Sequence, residues 1–309
     1  MKEVYDIGLA WNWEFDLDFI LGIERECHAL GLTTYRIEPH NVQDAMKKFR
    51  TGRISFRTLL DRASDDDEAF IPLAKLVAKS HTHILNPHRW MEYAKDKANM
   101  HLALMGEGVF VPYTIIVSPY NKNKEIELSL TELEHLGRPF IIKPANTTGG
   151  GIGVVRGAET LKEILDSRQH HKNDTYLLQE TVHPVDLDGK KAWFRVYYAF
   201  GTTINCWWDH ETHVYNEMSN DEEQKYKLKK LREIILTIHR ICQLDFFSSE
   251  IALTNDWKFV AVDYVNEICD MREQSKYFDG VPDTVIAEIQ HHLALHVRHL
   301  TKEQSRRQQ

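Results

Sequence analysis

The chain has 309 residues, enough to bury a substantial core in two or three compact lobes. Its 42% hydrophobic and 27% charged residues are the balance of a soluble globular protein, and a net charge of −8 excludes wholesale nucleic-acid binding through a basic surface. No apolar run reaches the ~18–20 residues of a membrane span, and the acidic start MKEVYDIGLAWNWEFDLDF lacks the basic, apolar, small-residue order of a signal peptide.

The first 85 residues read as a small α/β unit. VYDIGLAW is a candidate strand. DLDFILGIERECHALGL is a candidate helix, with Phe19, Ile20, Ile23, Cys27 and Leu30 at helical spacing and Gly31 where a C-terminal glycine belongs. TTYRIEP and ISFRTLLDRAS read as two more strands. The run Asp65-Asp66-Asp67-Glu68 reads as a solvated helix start.

THILNPH is a short strand broken at Pro87, followed by one helix over HRWMEYAKDKANMHLALMGEG and an extended VFVPYTIIVSP. A polar loop and short helix lead to the strand RPFIIKPA, a glycine loop, the helix GAETLKEILDSRQHH and the strand TYLLQETV. KAWFRVYYAFGTTINCWWDHETHVY reads as two or three antiparallel strands joined at Gly201. DEEQKYKLKKLREIILTIHRICQL is one long amphipathic helix, with Leu231, Ile234, Ile235, Ile238 and Ile241 toward a core. DFFSSEIAL and WKFVAVDYV flank the turn Thr254-Asn255-Asp256. EIQHHLALHVRHL closes the chain as a helix, and residues 301–309 are expected to fray. The four cysteines, Cys27, Cys206, Cys242 and Cys269, form no C-x-x-C pair, so no zinc or redox motif is suggested and a reducing cytoplasm is expected.

The stretch FIIKPANTTGGGIGVV, 140–155, concentrates the chemistry. Consecutive glycines let backbone N–H groups converge on an anion. Thr147 and Thr148 add hydroxyl donors, and Lys143 adds a charge from within an apolar strand, where a lysine needs an explanation. These are the parts of a polyphosphate clamp, although a glycine-rich turn without a ligand fits the same letters. No lysine follows the glycines, as a Walker loop requires. The third glycine of a dinucleotide fingerprint is missing, and neither H-R-D nor D-F-G follows.

Four features in order narrow the choice: Asp96-Lys97 on a helix, Ile142-Lys143-Pro144 before the glycines, Leu178-Gln179-Glu180 ending a strand, and a late acidic strand pair ending VDYVN. From Asn86 to Arg272 this order resembles the ATP-grasp superfamily. The nearest in look are the ribosomal-protein glutamate ligase, glutathione synthetase and D-alanine ligase group, with the inositol polyphosphate kinases of the same fold behind. The resemblance implies two α+β lobes sandwiching ATP, preceded by a small α/β domain. The expected divisions are an N-terminal domain over 1–85, a small lobe with the glycine loop over 86–180 and a C-terminal lobe with a metal site over 181–300.

Carried over residue by residue, the resemblance puts Lys97 and Lys143 on the α- and β-phosphates and the loop Thr147, Thr148, Gly149, Gly150 and Gly151 around them. It puts Gln179, Glu180 and Val182 at the adenine hinge, Asp186 or Asp188 near the ribose, and Arg195 on the transferring phosphoryl group. Glu250, Asp263 and Asn266 would hold Mg²⁺, with Mn²⁺ as an alternative ion. Here the chain departs from the family. Acid-x-Asn is lengthened to Asp263-Tyr264-Val265-Asn266, so on a regular strand Asn266 and Asp263 would face opposite ways. Either a bulge realigns them or Asn266 is no ligand.

The acceptor region also departs: NCWWDHETHVYNEMSNDEEQ is aromatic and acidic where relatives carry a basic, glycine-containing loop. Trp207, Trp208 and Tyr215 could stack on an aromatic or cationic substrate or simply pack. Arg272 is a candidate for a substrate carboxylate. The function the resemblance implies is a cytoplasmic Mg-ATP-dependent ligase. It would join a small carboxylate to an amine or thiol of an amino acid, peptide or protein tail through an acyl phosphate, with no nucleic acid and no membrane involved. A small-molecule kinase of the same fold and a non-catalytic nucleotide-binding protein are the alternatives.

Overall fold

The computed structural model describes residues 2–65, 67–147 and 151–307. Three sheets organise it. The first is parallel, in the order β2-β1-β3-β4, from β1 (Glu3–Trp11), β2 (Thr34–Ile37), β3 (Ile54–Arg62) and β4 (His83–Leu85). Its connections are α1 (Leu17–Ala29), α2 (Val42–Arg50) and α3 (Ile71–Val77). As expected, Gly31 takes φ +73° just past α1, where a side chain would be strained.

The second sheet is antiparallel, in the order β5-β8-β6-β7, from β5 (Thr114–Val117), β6 (Phe140–Pro144), β7 (Val155–Ala158) and β8 (Tyr176–Glu180). Helices α6 (Leu130–Leu136) and α7 (Leu161–Ser167) complete this lobe, each opened by a reciprocal capping box, Ser129 with Glu132 and Thr160 with Glu163. Buried Arg168 donates to the carbonyls of Ser118 and Asn123 at 2.6 and 2.7 Å, pinning the loop before α6.

The third sheet, in the order β13-β12-β11-β14-β15, holds β11 (Trp193–Ala199), β12 (Thr202–Asp209), β13 (Val214–Glu217), β14 (Phe246–Leu253) and β15 (Phe259–Asn266). A small hairpin, β9 (Asp186–Leu187) and β10 (Lys190–Lys191), precedes it. The amphipathic helix breaks into α8 (Asn220–Lys225) and α9 (Lys229–Cys242), with Lys227 at φ +57° between them. The single helix read over 88–108 is likewise two, α4 (His88–Lys95) and α5 (Lys97–Gly106). Asp96 is extended between them, and its carboxylate caps α5 by accepting from the N–H groups of Ala98 and Asn99.

Two expected boundaries shift. Met91, Ala94, Met100 and Leu104 of α4 and α5 pack into the same core as Phe194, Phe247 and Ile251, so this helix pair sits on the third sheet and not on the second. The final helix, α10 (Asp283–Arg307), runs through residues expected to fray. It crosses α1 at Gly22, where an added Cβ would lie 2.1 Å from the Gln290 amide, so a larger residue there would have to displace the Gln290 side chain. Ile289, Leu293 and Val297 of α10 share one core with Phe19 and Ile23 of α1 and with Tyr197 and Phe246 of the third sheet. A buried pair, Arg62 to Asp16 at 2.7 Å on two nitrogens, adds a bond from Arg62 to the carbonyl of Cys269 at 2.8 Å and ties the first sheet to the loop after β15. Among the described residues no helix is long and apolar enough to cross a membrane. All four cysteines are buried and unpaired.

Candidate active site

The site is built on one cross-strand row. Arg195 on β11 pairs with Glu250 on β14, and Glu250 pairs with Asp263 on β15. Residues directly opposite on neighbouring strands project from the same face, so three charged side chains line up from the middle strand of the third sheet to its β15 edge. Arg195 donates to Glu250 Oε1 at 2.8 Å, and the Trp193 indole N–H donates to Glu250 Oε2 at 3.1 Å. The Arg195 guanidinium stacks on Trp208 at 4.6 Å, and its Nε is buried without a partner among the described residues.

Asp263 is held by Lys97, the first residue of α5, at 2.5 Å. Burial alone would weaken the Lys97 charge, but Asp263 overrides it and holds the lysine above its ordinary range. Burial raises Asp263, and Lys97 and Lys143 more than reverse that, keeping it below the usual carboxylate range. The register of β14 against β15 slips on both sides of this residue, with Ser248 opposite Asn266, Glu250 opposite Asp263 and Ile251 opposite Ala261. Two residues of β14 thus span three of β15 between Asp263 and Asn266. That extra residue is a bulge, and it turns Asn266 into the same cavity as Asp263 while Tyr264 points away into the core.

The second sheet closes over this row. Lys143 of β6 is buried and reaches the carbonyl of Val262 at 3.3 Å. Burial lowers its pKa, Asp263 opposes that and the neighbouring Lys97 charge adds to it, and together they leave it at about 8. Between the two sheets lies a cavity of about 450 Å³ that Lys97, Lys143, Arg195, Glu250, Asp263 and Asn266 all line. Gly151 and Arg156 close its glycine-loop side, and Arg156 donates to the carbonyl of His210 at 3.2 Å across the gap. A second cavity of similar volume behind the loop, lined by Val155, Glu163 and His171, has no lysine or arginine in its wall.

No protein-family model matches the chain, and no curated protein matches it by sequence. Solved structures do match. A RimK domain ATP-grasp protein of Sphaerobacter thermophilus superposes over 93% of this chain and 97% of its own, with TM-score 0.63 and 17% identity. The ATP-grasp ligase PsnB, solved with a precursor peptide and AMPPNP, covers 96% of this chain and 98% of its own, with TM-score 0.61 and 15% identity. D-alanine–D-alanine ligase of Bacillus anthracis, solved with ATP, covers 96% and 99%, with TM-score 0.61 and 12% identity. The chain has the ATP-grasp fold.

On this ATP-grasp frame the sequence-predicted residues separate into two groups. Lys97, Lys143, Gly151, Gln179, Arg195, Tyr215, Glu250, Asp263, Asn266 and Arg272 line the central cavity. Thr148, Gly149 and Gly150 lie outside the described residues. The others are engaged elsewhere. The Thr147 hydroxyl donates to buried Asp174 at 2.6 Å, so it anchors the root of the loop. Glu180 accepts the N–H of Tyr113 at 2.7 Å, Val182 is core, and Asp186 accepts the N–H of Gly189 at 2.6 Å in the turn of the small hairpin. Asp188 is paired at the surface with Lys225. Trp207 packs away from the cavity against Phe194 and Tyr226, because alternation on β12 sends Trp208 inward instead.

Two cavity residues are more constrained than their letters suggest. Arg272 is clamped by Asp270 at 2.7 Å and Asp279 at 3.0 Å, so its guanidinium is already compensated. Gln179 has no exposed surface and donates to Thr114 and to the Tyr264 hydroxyl, both at 3.1 Å. Trp193 and Arg156 are not singled out by sequence, and His210 stands out there only beside His213, as a metal pair that the lack of a third ligand at suitable spacing argues against. The Trp193 and His210 rings stack at 4.0 Å beside Glu250, a contact between residues seventeen apart that no periodicity announces. The Trp193-x-Arg195 spacing was the one available signal, since alternation puts both on the same face.

Proposed function

We propose that the protein is an ATP-dependent ligase that joins a carboxylate to an amine or thiol and releases ADP and phosphate. The observation that carries this reading is the row Arg195–Glu250–Asp263 facing Lys97 and Lys143 in the cleft of an ATP-grasp fold. The neighbours support it in kind: one is a D-alanine–D-alanine ligase solved with ATP, and another is a ligase solved with a precursor peptide. An amino acid or a peptide is accordingly the acceptor class to test first.

Lys143 and Lys97 bind and orient the phosphate chain from opposite lobes. Arg195, with an unpartnered Nε, meets the charge that builds on the transferring phosphoryl group. The substrate carboxylate oxygen attacks the γ-phosphorus and ADP leaves. The amine or thiol then attacks the acyl carbon, and phosphate leaves with the bridging oxygen. Catalysis is positioning and charge stabilisation, so no side-chain nucleophile is called for.

Glu250, Asp263 and Asn266 form an all-oxygen donor set on one cavity wall, which fits Mg²⁺. When bound, the ion would neutralise charge on the phosphate chain. Lys97 and Arg195 compensate the two carboxylates meanwhile.

The test has two arms. Thermal unfolding is followed with ATP, GTP and ADP, each with and without Mg²⁺. A ligand at ~100 times its dissociation constant should stabilise by about 2.7 kcal/mol. Hydroxylamine is then offered with ATP and a panel of amino acids and peptides, and hydroxamate and free phosphate are measured. Hydroxamate with one phosphate per ADP supports the ligase. A stable phosphorylated hydroxyl product with no free phosphate would replace it with a kinase. No nucleotide shift at all would sink both.

A further inference from the structure

Apart from the cleft, three ligand-type side chains converge from three parts of the chain. His83 lies on β4, an edge strand of the first sheet. Asp245 lies in the turn between α9 and β14, and His296 lies on α10. One ligand atom from each falls within 4.8 Å of the others, and none of the three lines the central cavity. Among the described residues this is the one such group of three.

The internal contacts leave the cluster incomplete. His83 Nε2 lies 3.2 Å from Asp245 Oδ2. The His83 and His296 rings are 6.1 Å apart at 62°, too far and too steep to stack, and His296 also sits 5.8 Å from Phe200. Nε2 of His296 is buried and has no hydrogen-bond partner among the described residues. A buried ring nitrogen left unpaired is unfavourable. Asp245, the acidic member of the trio, is bonded to His83 instead.

We propose that His83, Asp245 and His296 bind a divalent transition ion of the Zn²⁺ class, with water in the fourth position. Two imidazoles and one carboxylate are the borderline donor set such an ion takes, whereas Mg²⁺ wants oxygen throughout. Zinc bonds of ~2.0–2.2 Å set ligand atoms about 3.3 Å apart. The His83–Asp245 separation already matches that, and a small swing of the His296 ring closes the third side. Burial holds His296 below its ordinary range, so the ring is in the neutral form a metal needs. The ion would staple the first sheet, the third sheet and α10 together.

The experiment uses the untagged full-length chain, stripped with chelator and returned to buffer with millimolar Mg²⁺ to occupy oxygen-only sites. Zn²⁺ is titrated by calorimetry and thermal unfolding, and Co²⁺ by visible absorption. The expected result is one Zn²⁺ per chain, a raised melting temperature, and a Co²⁺ spectrum with nitrogen ligation. All three should be lost in H83Q and in H296Q and kept in E250Q, which alters the cleft. Circular dichroism checks that the variants fold. Should H296Q fail to fold, H83Q, on an edge strand with a half-exposed side chain, carries the comparison. Absence of zinc binding to the wild type, or equal binding in wild type and H83Q, overturns the proposal.

Discussion

Glu250 and Asp263 stand directly opposite each other on neighbouring strands, and each is held by a different cation: Arg195 at 2.8 Å and Lys97 at 2.5 Å. Two carboxylates side by side repel, and these two cations, one from β11 and one from α5, make the arrangement stable without a ligand. The cleft therefore holds two carboxylates and two cations already paired with one another.

Asp263→Asn tests this balance. It leaves the Lys97 ammonium buried with only an amide beside it. The Asp263 side chain is 32% exposed, so the cost falls between that of surface and buried ion pairs, about 1–3 kcal/mol by urea unfolding. Mg-dependent stabilisation by ATP should vanish. Unchanged Mg-dependence would remove Asp263 from the metal set.

Lys143→Ala removes a buried charge that burial disfavours, which offsets the loss of its packed methylene stem. ATP affinity should fall about 10–100-fold, the scale of one charge-assisted contact. The ligand-free melting temperature should move by no more than about 2 °C, on the order of 1 kcal/mol for a chain of 309 residues. Normal ATP binding in a folded Lys143→Ala protein would end the phosphate-clamp assignment.

Much of this site was legible because charge inside an apolar strand is costly and therefore conspicuous. Lys143 in FIIKP and Arg195 in WFRVYY stand out for that reason. The bulge in β15 was legible only as a choice, since spacing shows that a regular strand would fail but not whether the register slips. The partners of Thr147, Glu180 and Asp186 are less legible: Asp186 bonds the backbone of its own turn, as short polar side chains do, while Thr147 and Glu180 bond Asp174 and the N–H of Tyr113, both remote in the chain. Helix α2 went unread because NVQDAMKKFR buries only Val42 and Ala45, too thin a stripe for periodicity to register.

A buried chain of hydrogen bonds links the lobes and carries a stability prediction. Gln179 donates to the Tyr264 hydroxyl at 3.1 Å, and that hydroxyl lies 2.6 Å from His101 Nδ1. Burial pushes His101 down to about 4, with Lys143 adding to it, so the ring is neutral and Nδ1 accepts the tyrosine proton. Tyr264→Phe strands His101 and half-satisfies Gln179, at a cost of about 1–3 kcal/mol. Urea denaturation that shows no loss would mean the chain of bonds does not form.

The acid limb of stability should depend on Glu222. Its carboxylate accepts from Lys190 at 2.6 Å and from the N–H of Ser219 in a capping box, and these bonds, the lysine's first, hold it down at about 2. A depressed folded-state pKa contributes stability that is fully present above the unfolded value of about 4.3 and is lost as pH falls through about 2. Glutamine keeps the capping geometry but not the charge. The melting-temperature gap between wild type and Glu222→Gln should therefore be widest above pH ~5 and close as pH falls. A gap that does not vary with pH would point to lost packing instead.

The bulge makes the last prediction sharp. Ser248 lies opposite Asn266 and Glu250 opposite Asp263, so the extra residue brings Asn266 onto the cavity wall that Asp263 shares. If that alignment serves an ion, Asn266→Ala should raise the Mg²⁺ concentration needed for half-maximal ATP stabilisation about tenfold, or ~1.4 kcal/mol. It should leave ATP binding without Mg²⁺ nearly unchanged. Removing Val265 restores the shorter acid-x-Asn spacing on a regular strand and again presents both oxygens to one face. That deletion should keep the Mg²⁺ requirement closer to wild type than Asn266→Ala does. A deletion variant that folds yet needs as much Mg²⁺ as Asn266→Ala would mean that Asn266 serves the bulge and not the ion.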